Sequence, residues 1–320
     1  MLENNKYKMY FFQNHISNLM GELNNDEVFE KYEVYHYTNI DGIEGILRKN
    51  GEFWVSHADF LNDKTEIKYT MELSVQIFLS LCEERGFSKE KISEFKKLYD
   101  EAVNINEIMN TNYYSLSFST NPDSNLLWAN YSHNDGYSIT FKYKEFIDRL
   151  EKDIIPEIPE IQSLEISKIV PIGAKVIYKR SEQKWLLSML FNDVLNRFED
   201  KANKPNYDVT SDAFIINAVG VLEWYSLFFK DECFSQEEEF RIALLYLDNS
   251  DANVYECRKS NGTFIPYVKI NVNRDSVKGV TIGPKNNMDI NREGLRKFLL
   301  KQEYDLTKVN INKSKIPYRY

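Results

Sequence analysis

The chain has 320 residues, of which 42% are hydrophobic and 28% are charged, values typical of a globular protein. Its net charge of −9 and the lack of a long basic block argue against a broad surface for nucleic-acid phosphates. Cys82, Cys233 and Cys257 are odd in number and far apart, which argues against a disulfide framework and predicts a cytoplasmic protein. The N-terminus lacks the uninterrupted apolar core of a signal peptide, and the longest apolar stretch, FIINAVGVLEWYSLFF, is too short to span a bilayer, so no membrane association is expected.

Hydrophobic periodicity predicts an α+β fold, because the helices do not alternate one for one with the strands. We expect one domain over 1–320, with an N-terminal helical extension over 1–30 and helical insertions over 64–110 and 180–229. In chain order the predicted elements are a helix over 6–22, a strand over 33–38, a helix over 40–49, a strand over 52–56, two helices within 64–110, strands over 113–119, 136–143, 164–170 and 174–178, helices over 180–199 and 210–229, strands over 239–247, 264–272 and 277–283, and a final helix around Leu295.

The segment YHYT contains one of only four histidines in the chain. In a strand over 33–38, His36 and Thr38 share one face, whereas Tyr35 and Tyr37 share the other. Two interpretations stay open for His36. It is either a functional side chain directed into a cleft from the end of the strand, or a core histidine bonded to a backbone carbonyl.

The segment YYSLSFS places three hydroxyls in a row. Ser115, Ser117 and Ser119 alternate with Leu116 and Phe118, so the serines share one face of the predicted strand. A buried serine needs a hydrogen-bond partner, and such a row therefore suits a polar ligand or solvent better than an apolar core. The alternative is an ordinary amphipathic edge strand.

The segment QEEEFRIALLY brings carboxylates to the start of an apolar strand. From Phe240 onward both faces of this strand are apolar, which indicates a buried strand. Strand alternation places Glu237, Glu239 and Arg241 on one face at its beginning. Carboxylates entering a buried strand are costly unless they are paired, and Arg241 is expected to bond one of them bidentately. A solvated loop is the alternative interpretation of the glutamate run.

Together these clusters resemble the ADP-ribosyltransferase fold, which implies a split sheet of mixed or antiparallel strands. The chain is also similar to a widespread bacterial family described as a domain of unknown function. The opening segment is similar to the start of DNA-modifying ADP-ribosyltransferase toxins, in which a His-x-Thr strand end precedes a helix and a glycine. The matching segments are YHYT with GILRKNGEFWVS, FLNDKTE, SLSFS, LWANYS, GYSITF, EEEFR and VKGVTIGPK, all within 34–285.

The resemblance implies an enzyme that breaks the bond between nicotinamide and ribose in NAD, through a sugar cation like that of glycoside cleavage. It implies that Glu239 bonds the ribose 2′-hydroxyl and stabilises the growing positive charge. Glu237 then activates the acceptor, Arg241 fixes one of the two carboxylates, and His36 bonds the adenosine ribose with support from Thr38. This interpretation requires His36 and Glu239 to meet in one crevice large enough for a dinucleotide.

The resemblance further implies that Ser115, Ser117 and Ser119 shape the nicotinamide side of the site, with Tyr37 or Tyr113 as a flat face for the ring. NAD is a substrate in this scheme, and no metal is required. The implied acceptor is an unidentified macromolecule, either protein or nucleic acid. A toxin or an anti-phage defence effector, with an antitoxin or defence-system partner, is the implied setting.

Three alternatives remain on sequence alone. The chain is a non-catalytic module that binds a nucleotide or a partner, an NAD glycohydrolase that uses water as the acceptor, or a metal-dependent hydrolase. The metal alternative is the weakest, because H-x-D is short and the chain has no H-E-x-x-H motif. Its ligands would be His36, His57, Asp59 and His133.

Overall fold

A computed structural model describes the chain over 13–60, 65–109, 112–132, 135–154, 169–201, 204, 206–246, 255–260, 262–286 and 288–317. The helices are α1 (13–20), α2 (Asp26–Phe29), α3 (Ile40–Leu47), α4 (Thr65–Glu84), α5 (Lys89–Met109), α6 (Asn125–Ser132), α7 (Tyr143–Ile154), α8 (Arg180–Lys201), α9 (Ala213–Phe228) and α10 (Met288–Lys301). The strands are β1 (Glu33–Thr38), β2 (Glu52–His57), β3 (Asn112–Ser119), β4 (Tyr137–Lys142), β5 (Ile169–Lys175), β6 (Glu239–Tyr246), β7 (Glu256–Ser260), β8 (Thr263–Asn271), β9 (Val277–Ile282) and β10 (Asn310–Lys313).

The predicted α+β class is confirmed, and most predicted elements lie within two residues of the observed ones. The sequence pattern does not predict α2, α6, α7, β7 or β10. The predicted strand over 174–178 is wrong, because β5 ends at Lys175, where its pairing with β6 ends. Most of the predicted strand over 164–170 lies outside the described residues.

The chain divides into two compact units. The three segments predicted to be helical extension and insertions account for most of the first, which we call the helical unit. The second, the sheet unit, contains all three sequence clusters. The helical unit comprises Met1–Gly21, Asn62–Thr111 and Val176–Phe234, and the sheet unit comprises Glu22–Leu61, Asn112–Lys175 and Ser235–Tyr320.

The core of the helical unit is built around α9, the most apolar helix of the chain. Its 16 residues bury side chains on nearly every side, including Trp224, Tyr225 and Phe228. His15 of α1 is also buried, and the distance from its Nδ1 to the hydroxyl oxygen of Tyr225 is 2.9 Å. Within the described ranges, no helix combines the length and the hydrophobicity needed to cross a membrane.

The sheet unit is organised around β3. The strand order is β10-β9-β4-β1-β3-β2-β8-β7, and β6 pairs with β3 and β5 outside this path. β6 pairs with β3 from end to end, whereas β1 and β2 share the opposite edge of β3. The β9–β10 pair is parallel and the other pairs are antiparallel, which makes the sheet mixed.

β1 and β2 diverge where they meet β3. β1 contacts β3 at the Tyr35–Ser119 pair, and β2 contacts it at the Ser56–Ser115 and His57–Tyr114 pairs. Ser117 lies between these two contacts, beside the opening where β1 and β2 separate. We call this opening the sheet split.

Pairing in register gives the sheet two chemically different faces around the split. The apolar face carries aromatic and aliphatic side chains, and the polar face carries hydroxyls and charges. The apolar face includes Val34, His36, Phe53, Leu116, Phe118, Phe141, Phe240 and Ile242. The polar face includes Tyr35, Trp54, Ser56, Tyr113, Ser115, Ser117, Ser119, Glu239, Arg241 and Tyr267.

Two glycines beside β2 are expected to respond oppositely to alanine. A Cβ on Gly51 would overlap the Ile46 carbonyl and lie 2.9 Å from the Arg48 carbonyl oxygen, whereas a Cβ on Gly45 would meet nothing within 4 Å. Gly51→Ala should therefore lower the free energy of unfolding by about 1–3 kcal/mol. Gly45→Ala, inside α3, should raise it by about 0.5–1 kcal/mol. Urea titrations of both variants measure the difference, and equal effects would contradict the packing described for Gly51.

Candidate functional site

The glutamate run forms a turn rather than a continuous strand. Glu237 is the last residue of the 3₁₀ helix Glu232–Glu237, and β6 begins at Glu239. Glu238 between them has φ 44°, in the left-handed region that non-glycine residues rarely adopt. The predicted placement of Glu237 on the strand face of Glu239 and Arg241 is therefore wrong, because strand alternation does not extend back through this turn.

The end of β3 holds this turn in place. The Ser119 hydroxyl donates to the Glu237 carbonyl at 2.9 Å, and the Thr120 amide donates to the Glu238 carbonyl at 2.8 Å. The Asn121 side-chain amide donates to Glu238 Oε1 at 2.7 Å. Ser119, predicted to face a ligand, thus uses its hydroxyl to fix the residues directly before Glu239.

The polar face holds a cluster of three side chains, Glu239, Ser117 and Arg241, which we call the Glu239 cluster. Ser117 donates from Oγ to Glu239 Oε1 at 2.6 Å. Arg241 donates from Nε to Oε1 and from Nη2 to Oε2, both at 2.9 Å. Glu239 is 6% exposed and Arg241 2% exposed, so the predicted bidentate pair is present and buried. These bonds fix the orientation of the carboxylate.

Ser115 and Tyr113 extend the polar face along β3. Ser115 is buried, and its hydroxyl has no hydrogen-bond partner among the described residues. Tyr113 is half-buried on the same face. A buried hydroxyl without a partner is unusual in a folded protein, so Ser115 is a candidate for contact with a bound group.

His36 reaches the sheet split from the apolar face. Its Nδ1 lies 3.1 Å from the Ser117 carbonyl oxygen. Its ring packs edge-on against Phe53 at 5.0 Å and Phe118 at 5.7 Å between centroids. The surroundings therefore match the second interpretation of this histidine, a core side chain bonded to a backbone carbonyl.

The structure does not bring His36 and Glu239 into one crevice as the sequence analysis expected. Both contact Ser117, but His36 bonds its backbone carbonyl on the apolar side and Glu239 accepts from its hydroxyl on the polar face. The register that pairs Tyr35 with Ser119 determines this outcome, because it places Tyr35, and not His36, on the face of Glu239. The predicted contact between His36 and an adenosine ribose therefore has no support from this geometry.

Tyr37 and Thr38 also have structural contacts. The Tyr37 hydroxyl donates to the Asn121 carbonyl at 2.8 Å and accepts from the Ser124 amide at 2.9 Å. Its buried ring packs edge-on against Trp128 at 4.8 Å, so it offers no open face to a nicotinamide ring. Thr38 packs on the first turn of α3, where a Cβ at Gly42 would overlap its hydroxyl.

His36 is expected to make stability depend on pH. Burial lowers its pKa from 6.5 to about 4, although the bond to the Ser117 carbonyl acts in the opposite direction. Between these values the unfolded chain binds a proton that the folded chain does not, so stability falls as pH decreases from 6.5 to 4. His36→Gln should flatten this dependence by up to about 1.4 kcal/mol per pH unit. Urea titrations across this pH range measure the slope, and an unchanged slope would contradict a half-buried imidazole that stays neutral in the folded protein.

A groove of about 720 Å³ opens beside the Glu239 turn in the sheet unit. Known ligand pockets have volumes of about 300–1,000 Å³, so its size suits a small molecule. Tyr35 and Thr120 bring it next to Ser119 and the turn residue Glu238. Its lining residues are Asn25, Glu27, Val28, Lys31, Tyr32, Glu33, Tyr35, Thr120 and Lys175.

The residues considered for a metal site do not assemble in the described part of the chain. His57 and Asp59 are neighbours, with 3.7 Å between Nδ1 and Oδ2. His133 lies outside the described residues. Among the described residues, no group of three or more His, Cys, Asp or Glu side chains is placed to hold a metal ion.

Comparison with known proteins adds one family match. Residues 127–242 match a family model described as "Protein of unknown function (DUF2971)". The match covers about a third of the chain and includes Glu239 and Arg241 but not His36. No curated protein matches the chain, and no solved structure matches it. The resemblance to a family of unknown function is thus confirmed for this segment, which contains two of the three residues of the Glu239 cluster.

Proposed function

We propose that the chain is an ADP-ribosyltransferase-like enzyme that cleaves the nicotinamide–ribose bond of NAD and transfers ADP-ribose to a macromolecular acceptor. The observation that carries the proposal is the Glu239 cluster, a carboxylate oriented by Ser117 and Arg241 on the polar face beside a sheet split. The order of the three sequence motifs and the split in the sheet both support the resemblance to this fold. The proposal gives up the expected contact between His36 and the ribose, because His36 and Glu239 lie on opposite faces of the sheet, and it rests on Glu239 instead.

The proposed reaction needs a fixed negative charge more than it needs a strong nucleophile. As the glycosidic C–N bond breaks, nicotinamide leaves with the bonding electron pair and the ribose carbon becomes positively charged. A carboxylate that already points at this carbon stabilises the charge without reorganisation. Glu239 is the proposed carboxylate, and its bonds to Ser117 and Arg241 keep it in one orientation.

Acceptor attack completes the reaction. A hydroxyl or amine of the acceptor forms a bond to the ribose carbon and loses its proton to a base. Glu237 stays the proposed base, although it belongs to the 3₁₀ helix and not to the strand. The acceptor class, protein or nucleic acid, is left open by the proposal.

The groove beside the turn is the proposed entry for NAD. Lys31 and Lys175 line it and carry charges suited to a diphosphate. Lys175 also pairs with Glu22 at 2.7 Å, and Glu27 and Glu33 balance the charge. Tyr35 connects the groove to the polar face, because it pairs with Ser119 across the strands.

His36 takes a positioning role in this proposal. By bonding the Ser117 carbonyl, it anchors the backbone of the residue whose hydroxyl donates to Glu239. Loss of His36 should therefore reduce activity less than loss of Glu239. The proposed setting is a cytoplasmic toxin or anti-phage defence effector, and this part of the proposal rests on the resemblance alone.

A second candidate is a non-catalytic module that binds a nucleotide or a partner protein. The observation that favours it is the burial of Glu239, whose two oxygens are both occupied by Ser117 and Arg241. A catalytic carboxylate must reach its substrate, so this candidate predicts NAD binding without turnover, or no NAD binding. An NAD glycohydrolase would release both nicotinamide and free ADP-ribose.

The deciding experiment incubates purified protein with NAD and quantifies nicotinamide, free ADP-ribose and protein-bound ADP-ribose. We expect nicotinamide release that EDTA does not abolish, because the proposed chemistry requires no metal. Stoichiometric free ADP-ribose would identify the hydrolase. Calorimetric NAD binding without any release, with and without candidate acceptors, would contradict the enzyme and support the binding module.

A further inference from the structure

The polar face continues beyond the Glu239 cluster onto β2, β8 and β7. Ser56 of β2 pairs with Ser115 on one side and with Tyr267 on the other. Arg258 of β7 reaches toward them, and its Nη2 donates to the Ser56 hydroxyl at 3.0 Å. Trp54 lies two residues before Ser56 on the same face. We call Trp54, Ser56, Ser115 and Arg258 the β2 surface.

Two buried polar atoms of the β2 surface lack partners among the described residues. They are Oγ of Ser115 and Nε of Arg258, one on either side of Ser56. The neighbouring carboxylate Glu256 is already bonded to Tyr267 at 2.8 Å and to Lys269 at 2.6 Å. Unpaired buried donors are rare in folded proteins, and a planar guanidinium suits phosphate oxygens. These atoms therefore point to an anionic group with oxygen acceptors.

Trp54 provides an aromatic platform on the same face of β2 as Ser56, the residue that Arg258 bonds. It is 48% exposed although its ring stacks on buried Tyr267, with 4.7 Å between centroids and 25° between planes. Its indole nitrogen donates to Glu52 at 2.9 Å, which helps to fix the ring. A fixed ring with an exposed side is suited to stacking on a nucleobase.

We propose that the β2 surface binds a nucleotide, with its phosphate on Arg258 and its base on Trp54. Arg258 bonds Ser56, which is two residues from Trp54 along β2. Two residues along a strand span roughly 7 Å, a separation that a mononucleotide can bridge between base and 5′-phosphate. Lys269 is paired with Glu256, and Glu52 adds negative charge, so this surface suits one phosphate and not an extended strand. The proposal does not rest on NAD cleavage, since a non-catalytic protein would bind the same ligand.

The test is a titration with AMP in which binding is measured by calorimetry and by quenching of tryptophan fluorescence. Trp54→Ala and Arg258→Gln should each raise the Kd about tenfold, because stacking and phosphate contacts are each worth about one factor of ten. Trp185→Ala is the matched control, since Trp185 is 54% exposed in the helical unit and should not affect binding. Trp54→Phe should restore part of the affinity.

Two further arms identify the source of the ligand. Adenosine, which lacks the phosphate, should bind the unaltered protein more weakly than AMP does. The Arg258→Gln variant should bind adenosine and AMP with equal affinity. A single-stranded oligonucleotide that displaces AMP through the same residues at a lower concentration than AMP itself would overturn the proposal, because the surface would then bind an extended strand. No AMP binding by the unaltered protein, or equal Kd values in all folded variants, would overturn it.

Ser115→Ala separates binding from folding. Removing a buried hydroxyl without a partner should leave the melting temperature unchanged or raised. The same substitution should raise the Kd for AMP, because the proposal places the Ser115 hydroxyl against the bound phosphate. An unchanged Kd together with a lowered melting temperature would show a purely structural serine and would contradict its place in the site.

Discussion

Arg241→Ala is expected to lower the free energy of unfolding by about 3–5 kcal/mol, because it leaves a buried carboxylate without its counter-charge. Glu239 is 6% exposed, and Arg241 supplies bonds to both of its oxygens. The control is Arg296→Ala on α10, where Arg296 makes a similar two-bond contact with Glu293 but both side chains are nearly half exposed. That exposed pair should contribute far less to stability, because solvent screens both charges.

Urea titrations of both variants measure this contrast. A double variant, Glu239→Gln with Arg241→Met, removes both charges and should recover much of the stability lost in Arg241→Ala. Similar losses for Arg241→Ala and Arg296→Ala would contradict the burial of the Glu239 cluster. The contrast concerns folding alone, so it holds whether or not the protein cleaves NAD.

Glu239→Gln is expected to reduce nicotinamide release by about 10²-fold or more, because it removes the charge that stabilises the sugar cation. The control is Glu238→Gln, which alters an exposed side chain one residue away whose contact is with Asn121. Ser117→Ala, which keeps the ion pair and removes one donor to Glu239, should reduce release about tenfold. Equal rates in Glu238→Gln and Glu239→Gln would contradict the assignment of Glu239.

Local pattern predicted the strands of the site and their faces. Alternation placed Ser115, Ser117 and Ser119 together, and the apolar run after Glu239 identified β6 as a buried strand. The bidentate bond from Arg241 followed from the cost of burying a carboxylate without a partner. These features depend on residues close in sequence or on strand geometry alone.

The face of His36 relative to Glu239 required information that the sequence does not contain. Alternation separates His36 from Tyr35 within β1, but only the Tyr35–Ser119 pairing determines which of them shares a face with Glu239. A shift of one residue would have exchanged the two side chains. The left-handed conformation of Glu238 could not be predicted from the sequence either, because the hydrogen bonds that stabilise it come from Thr120 and Asn121, directly after β3.

The β2 surface was missed for a related reason. Trp54 and Arg258 are about 200 residues apart in sequence, and they belong to one surface because β8 pairs with both β2 and β7 and Arg258 reaches Ser56. The sequence pattern does not predict β7, so no strand was expected at Arg258. The exposed aromatic at Trp54 was the one local signal, and a single exposed aromatic does not by itself indicate a site.

The central claim is that the carboxylate of Glu239 acts on NAD in the step that breaks the nicotinamide bond. The most direct test measures, in one preparation of folded Glu239→Gln, both the Kd for NAD and the rate of nicotinamide release. We expect a Kd within about threefold of the unaltered protein and a rate lower by about 10²-fold or more. Release at the unaltered rate, with binding intact, would contradict the claim.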